Sequence, residues 1–152
     1  MAEFALVGDI GGTNSRFGLV KPGSMAILHM EALRNDNFPS LERAIQQYLR
    51  NREVGSLSSA AIAVAAPVDR EHISLTNYDW SFTSESLRLA AKARQLRLLN
   101  DYEALALSLP HLQDDDLVQI GGQESPLPKL KIVMGPGTGL GMAALAPLPH
   151  GG

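Results

Sequence analysis

The sequence has no cysteine and few aromatic residues. The absence of cysteine excludes disulfide bonds, thiolate metal sites and cysteine nucleophiles. Aromatic residues make up only 5% of the 152 residues, so a core has to be built from Ala, Leu, Val and Ile. Hydrophobic residues make up 45% of the chain, which is enough for a globular domain and too much for a disordered segment.

Long apolar runs and an excess of basic charge are also missing. No window approaches the ~18 to 20 uninterrupted apolar residues that a membrane span requires, and residues 1–6 lack the basic leader of a signal peptide. With 13 Lys and Arg against 16 Asp and Glu, the formal net charge is −3, and no basic face for nucleic acid is evident. We therefore expect a soluble, cytoplasmic protein that binds neither membrane nor nucleic acid.

Strand patterns open the chain. Residues 4–8, 16–20 and 25–30 are short apolar-rich runs, and the turns between them are too short to contain helices. This spacing predicts three consecutive antiparallel strands and argues against the strand–helix–strand start of a Rossmann fold.

Helix patterns then alternate with strand patterns. Residues 41–49 carry an apolar stripe of helical period, and Ser40 is a suitable N-cap for that helix. Residues 60–66 form a continuous apolar run, which predicts a strand buried on both faces. Further along we expect a helix over 83–93, a strand over 96–99 and a helix over 101–109 that Pro110 ends. The order of elements predicts an α/β domain with a mixed sheet.

The chain changes character near its end. We expect a short strand over 117–120, a Pro-containing connection, and then strands over 131–134 and 142–145 on either side of a glycine-rich loop. This strand–loop–strand pattern resembles that of residues 4–20, so we interpret it as an internal repeat. We expect one domain over residues 1–120, with residues 121–152 containing the connection and the first hairpin of a second domain.

The first glycine loop is a candidate phosphate site. Glycines let the backbone approach a ligand, and successive N–H groups suit phosphate oxygens. Asp9 ends the strand and is the type of ligand that binds Mg²⁺ directly or through water. The alternative is a tight hairpin turn in which Gly and Asn serve turn geometry alone. The loop matches neither the P-loop nor the dinucleotide-binding pattern. The candidate phosphate-binding residues are Gly8, Asp9, Ile10, Gly11, Gly12 and Thr13.

A second loop with alternating glycines follows the strand at 131–134. Two separate strand–glycine–Thr–strand hairpins are difficult to explain by turn chemistry alone, whereas together they can bind a polyphosphate from two sides. The second loop therefore favours phosphate binding over the simple turn. Its candidate binding residues are Gly135, Gly137, Thr138 and Gly139.

Asn100 and Asp101 lie where an apolar strand ends and a helix begins. Ligands of open α/β sheets bind outside the carboxyl ends of the strands. A carboxylate at that position can accept the proton of a hydroxyl group as it attacks phosphorus. The alternative is that one of these residues is simply an N-cap, a role that contributes about 1 kcal/mol.

Four segments carry a family resemblance: LVGDIGGTNSRF at 6–17, TNYDWSF at 76–82, LNDYEA at 99–104 and VMGPGTGLG at 133–141. Together they resemble bacterial glucokinases, and the resemblance extends from about residue 4 to 145. It implies the ribonuclease-H-like fold of the actin-like ATPases, with three antiparallel strands followed by alternating helices and strands. It also implies transfer of phosphate from ATP to the 6-hydroxyl of glucose, with Mg²⁺ as cofactor.

The same resemblance assigns roles to individual residues. Asp101 matches the general base for the sugar hydroxyl, and Asn100 matches a partner of other sugar hydroxyls. Asn77 lies in the segment beside the sugar cleft, and Asp9 matches the carboxylate that organises Mg²⁺. Both glycine loops match ATP-phosphate loops, and a full-length protein of this family is expected to be a homodimer.

Two departures from the family pattern stand out. Pro136 removes one backbone donor from the second loop. A Glu-Gly-Gly-His sugar segment and an adenosine pocket are expected after that loop, and neither occurs in the 152 residues. We therefore expect an N-terminal portion that is inactive alone, with its last two strands lacking further sheet partners.

Two alternatives share the fold. A sugar-responsive regulator would carry a helix-turn-helix before the first strand, and another actin-like ATPase would not need Asn100 and Asp101.

Overall fold

A computed structural model describes residues 4–75, 78–122, 130–136 and 140–147. The chain forms two compact units, Met1–Asp101 and Tyr102–Gly152. In chain order the strands and α-helices are β1 (Ala5–Ile10), β2 (Asn14–Val20), β3 (Ile27–Arg34), α1 (Leu41–Arg50), β4 (Leu57–Val64), β5 (His72–Ser74), β6 (Ser81–Thr83), α2 (Ser84–Ala90), β7 (Ala93–Asn100), α3 (Asp101–Ser108), β8 (Lys131–Pro136) and β9 (Leu140–Leu145). The predicted domain boundary between residues 120 and 121 stays a prediction.

The first unit contains a five-stranded mixed sheet of order β3-β2-β1-β4-β7. The first three strands pair antiparallel, which confirms the predicted meander. β4 and β7 then add to β1 as parallel strands. The sheet is therefore mixed, as the order of sequence patterns predicts.

Helix α1 has the boundaries and the buried face that its apolar stripe predicts. The Ser40 hydroxyl accepts a hydrogen bond from the Arg43 N–H at 3.4 Å and caps the helix. The stripe is buried in a core that also includes Phe17, whose ring centroid lies 5.3 Å from that of Tyr48. Other fully buried side chains of this core are Leu6, Ile10, Leu19, Ile62 and Leu87.

Helix α2 is shorter than predicted. Its N-cap is Thr83, whose hydroxyl accepts from the Ser86 N–H at 3.0 Å, while the Ser86 hydroxyl accepts from the Thr83 N–H at 3.1 Å. This reciprocal capping box starts the helix where the sequence predicts. The chain then leaves the helix after Ala90, and Lys92 adopts a left-handed conformation with φ of 50°.

Three further details differ from the sequence-based expectations. β4 alternates between buried residues such as Ile62 and half-buried residues such as Ala61, so the prediction of burial on both faces is wrong. Residues 117–120 form no strand, because the chain turns through a 3-10 segment at Asp114–Asp116 and leaves Val118 and Ile120 exposed. β5 and β6 form an antiparallel hairpin that was not predicted.

The second unit contains the β8–β9 hairpin. Its strands pair antiparallel in an unbroken register from Lys131 opposite Leu145 to Pro136 opposite Leu140. Within the described residues this sheet has two strands, in agreement with the expectation that the last strands lack further partners. Across the same residues, no helix is long and apolar enough to cross a membrane.

Candidate active site

The first glycine loop and the Asn100–Asp101 pair lie at the same edge of the five-stranded sheet. Because β1, β4 and β7 are parallel, their carboxyl ends coincide, and the register aligns Ile10 with Val64 and Val64 with Asn100. Two strand spacings separate β1 from β7, a distance of roughly 10 Å. The topology thus brings together two groups of predicted site residues that are about 90 positions apart in the chain.

The six residues of the first loop fall into two groups. Gly8, Asp9 and Ile10 belong to β1, and the Ile10 side chain is fully buried in the core. Gly11, Gly12 and Thr13 form the turn to β2, in which the Gly11 N–H donates to the Asn14 carbonyl at 3.0 Å. Because the Gly11 N–H is already engaged, the candidate donors to a ligand at this turn are the N–H groups of Gly12 and Thr13.

The carboxylate of Asp9 faces Arg16 across the β1–β2 ladder. Arg16 Nη1 donates to Asp9 Oδ2 at 2.9 Å, and both side chains are more than half exposed. An exposed pair of this kind contributes little to stability. Mg²⁺ binds to one or two carboxylates together with phosphate oxygens and water, and an accessible Asp9 fits that requirement. No group of three or more His, Asp or Glu suited to a metal occurs among the described residues.

Asn100 and Asp101 form the junction between β7 and α3. Asn100 Nδ2 donates to the Ala66 carbonyl at 3.2 Å, which ties the end of β7 to the segment that follows β4. That segment is in turn joined to β1, because the Ala65 N–H donates to the Ile10 carbonyl at 3.1 Å. The Asp101 side chain is partly exposed at the first position of α3. The three strand ends are therefore connected to one another at the candidate site.

One residue of this region was missed by the sequence analysis. Asn35 follows β3, is fully buried, and donates from Nδ2 to the Gly11 carbonyl at 2.9 Å. Its Oδ1 accepts from the Ser15 hydroxyl at 2.8 Å, and its N–H donates to the Thr13 carbonyl at 3.0 Å. No local pattern marks Asn35, because the two side-chain partners lie 24 and 20 positions away in the sequence.

The second glycine loop has a different packing partner. Tyr102, in α3, donates its hydroxyl to the Gly135 carbonyl at 2.8 Å. A Cβ atom at Gly141 would collide with the Tyr102 ring, and one at Gly135 would lie only 2.8 Å from the Tyr102 hydroxyl oxygen. Both glycines thus make room for the Tyr102 side chain, a reason for their presence that sequence reasoning missed. The predicted site residues Gly137, Thr138, Gly139 and Asn77 lie outside the described residues.

Comparison with known proteins identifies the family. A glucokinase family model matches residues 6–151, and the chain belongs to the glucokinase family. It is 40% identical over 149 residues to a glucokinase of Marinobacter nauticus, covering 98% of this chain and 46% of the relative. It is also 42% identical over 142 residues to a bifunctional protein glk of Burkholderia pseudomallei, covering 93% of this chain and 22% of that protein. The chain spans about half the length of the curated glucokinases it matches.

Solved structures show the same fold. The glucokinase of an Antarctic psychrotroph is 32% identical and superimposes with a TM-score of 0.85 over 99% of this chain and 48% of its own. A ROK family glucokinase from Streptomyces griseus, solved with glucose and AMPPNP, is 20% identical with a TM-score of 0.65 over 94% of this chain and 44% of its own. The second likeness concerns the fold alone. The predicted ribonuclease-H-like α/β fold of the actin-like ATPases is thereby confirmed.

Proposed function

We propose that these residues belong to an ATP-dependent glucokinase, which transfers the γ-phosphoryl group of ATP to the 6-hydroxyl of glucose and releases glucose 6-phosphate and ADP. The observation that carries this proposal is the register of β1, β4 and β7, which aligns Ile10 with Asn100 through Val64. A glycine turn and a carboxylate at one sheet edge are the parts that phosphoryl transfer to a hydroxyl group needs.

Asp101 accepts the proton of the sugar 6-hydroxyl as that oxygen attacks phosphorus. Its position at the start of α3, next to the tethered end of β7, holds the carboxylate on a helix rather than on a loop. Asn100 and Asn77 bind other hydroxyls of glucose and orient the nucleophile. Orientation of this kind lowers the barrier because the reacting atoms are already aligned when the phosphoryl group moves.

The ATP phosphates lie against Gly8, Asp9, Ile10, Gly11, Gly12 and Thr13, with the turn residues supplying N–H donors. Gly135, Gly137, Thr138 and Gly139 form the second phosphate loop. Asp9 would hold Mg²⁺, which would supply positive charge to offset that of the phosphates. Arg16 forms an exposed ion pair with Asp9, which Mg²⁺ binding would have to compete with.

The protein context is also a proposal. Residues 1–120 form the small domain and residues 121–152 begin a second one, in a cytoplasmic enzyme that is a homodimer at full length. Because the chain spans about half the length of its curated relatives, we propose that the 152 residues alone do not complete the reaction. An assay that couples glucose 6-phosphate to a dehydrogenase should detect no turnover by this chain, and measurable turnover would contradict that expectation.

Ligand binding is tested with the chain itself. The ¹⁵N-labelled chain is titrated with glucose, with Mg·ATP and, as a control polyol, with sorbitol. Glucose should move the amide resonances around Asn100, and Mg·ATP should move those of residues 11–13. A response to Mg·ATP without any response to glucose would instead favour another ATPase of the same fold.

The role of Asp101 is tested in the longest polypeptide that the gene encodes. We expect Asp101→Asn to lower kcat about 100- to 10,000-fold with a much smaller change in the KM for glucose, since a general base acts on the transition state. Asp115→Asn is the matched control, because it makes the same chemical change in an exposed 3-10 turn. Equal losses in kcat and in glucose affinity would mean that Asp101 is mainly a binding residue.

A further inference from the structure

The buried amide of Asn35 uses both of its polar ends on the first glycine turn. Its nitrogen donates to the Gly11 carbonyl at 2.9 Å, and its oxygen accepts from the Ser15 hydroxyl at 2.8 Å. Asn35 and Ser15 are both fully buried. Buried polar groups are costly unless they are hydrogen-bonded, so this cluster is stable only while the turn keeps its geometry.

The orientation of the amide is determined by its partners. The Gly11 carbonyl can only accept, so the Asn35 nitrogen has to face it and the oxygen has to face Ser15. An Asp at this position, when ionised, has no donor for the Gly11 carbonyl, and a Ser offers a single hydroxyl for two partners. Asn therefore satisfies both partners with one planar group.

The bond to Gly11 also determines where the next N–H points. The described peptide bonds are trans, so a carbonyl and the following N–H point in opposite directions. Because the Gly11 carbonyl points at the buried amide, the Gly12 N–H points away from it. The bond from the Asn35 N–H to the Thr13 carbonyl holds the other side of the same turn.

We propose that Asn35 is a positioning residue of the phosphate site: it turns the Gly11–Gly12 peptide so that the Gly12 N–H is presented as a donor to an anionic oxygen. This inference rests on the proposed function, in which residues 8–13 bind the phosphates of ATP. A donor that is already oriented costs no reorganisation when the anion arrives. Asn35 itself contacts the turn and not the ligand.

Two measurements on the 152-residue chain test the proposal. The residual dipolar coupling of the Gly12 N–H reports its direction, and a titration with inorganic tripolyphosphate and Mg²⁺ reports anion binding without a contribution from adenosine. We expect Asn35→Ala to change the Gly12 coupling and to weaken tripolyphosphate binding about tenfold or more. Ser15→Ala keeps the hydrogen bond from Asn35 to the Gly11 carbonyl and removes the one from Ser15 to Asn35. It should therefore change the Gly12 coupling and the tripolyphosphate affinity in the same direction as Asn35→Ala, but by less.

Tyr48→Phe is the matched control. It removes one hydrogen bond to β3, the strand that precedes Asn35. This bond runs from the Tyr48 hydroxyl to the His29 carbonyl at 2.9 Å and lies outside the turn. It should leave the Gly12 coupling and tripolyphosphate binding unchanged. If Asn35→Ala does not fold, Ser15→Ala carries the test.

The outcomes separate this inference from the proposed function. A Gly12 coupling and a tripolyphosphate affinity that stay at wild-type values in a folded Asn35 or Ser15 variant would overturn the positioning role. Loss of binding in Tyr48→Phe as well would also overturn it, since the effect would then follow stability. If the wild-type chain binds no tripolyphosphate, the proposed phosphate site fails, and the Gly12 coupling alone decides whether Asn35 orients the turn.

Discussion

The hairpins β1–β2 and β8–β9 have the same sequence pattern and different environments. In the first, Leu6, Ile10, Phe17 and Leu19 are at most 1% exposed, and the hairpin is flanked by β3 and β4. In the second, the apolar side chains remain accessible, with exposures of 53% for Ile132, 60% for Met134, 71% for Leu140 and 63% for Met142. A strand–glycine–strand pattern therefore defines a hairpin, while its contribution to stability depends on what packs against it.

Glycine is required for different reasons in the two hairpins. In the first, Gly11 belongs to a turn that Asn35 holds through hydrogen bonds. In the second, Gly141 leaves room for the ring of Tyr102 and Gly135 for its hydroxyl group. Similar glycine spacing thus serves turn geometry in the first hairpin and packing against an aromatic side chain in the second. Mutations can distinguish these two roles.

The largest expected difference concerns the apolar side chains. Phe17→Ala should lower the free energy of unfolding by about 3–5 kcal/mol, because it leaves a cavity beside Tyr48 in the core. Met142→Ala should change it by less than about 0.5 kcal/mol, because the side chain is largely in solvent. Chemical denaturation of both variants measures the contrast, and similar losses would show that the two hairpins contribute equally to the core.

A smaller loss of stability is expected when glycines of the two hairpins are replaced by alanine. Gly141→Ala should destabilise the β8–β9 hairpin by about 1–3 kcal/mol, because the added methyl group displaces the Tyr102 ring. Gly8→Ala is the comparison in β1, where the nearest atoms to an added Cβ lie at 3.4–3.5 Å and ordinary contact results. Hydrogen exchange of the β8 and β9 amides reports the local loss.

A second substitution identifies the cause of that loss. If the ring is responsible, Tyr102→Ala should remove most of the additional effect of Gly141→Ala, giving a clear coupling in a double-mutant cycle. Additive effects of the two substitutions would contradict the packing explanation.

The smallest effect concerns one hydroxyl group in each unit. Tyr102→Phe removes the bond to the Gly135 carbonyl, and Tyr48→Phe removes the bond to the His29 carbonyl; each should cost about 1 kcal/mol. Burial raises the pKa of the Tyr48 phenol, so this hydroxyl stays protonated and continues to donate over the neutral range. Tyr48→Phe should lower global stability, whereas Tyr102→Phe should accelerate exchange only in the second hairpin. Equal global losses would contradict the contrast between the two environments.

Elements with strong local signals were predictable. The period of the stripe and the Ser40 cap define α1, and the short glycine turns define the antiparallel meander. The β5–β6 hairpin was missed because strands of three residues are too short to show an alternating pattern. The prediction of a strand at residues 117–120 was wrong. In the described part of the chain, the apolar run after the Asp114–Asp116 turn has no strand to pair with.

Local patterns were enough to identify the motifs, the family resemblance and the residues that carry the candidate chemistry, because turns, caps and glycine loops depend on neighbours a few positions apart. Three features became visible only in the folded chain: the ends of β1 and β7 share one edge, Asn35 holds the turn between β1 and β2, and Tyr102 occupies the space beside Gly135 and Gly141. Each of these contacts joins residues at least 20 positions apart, and hydrogen bonds and packing over such separations depend on the path of the whole chain.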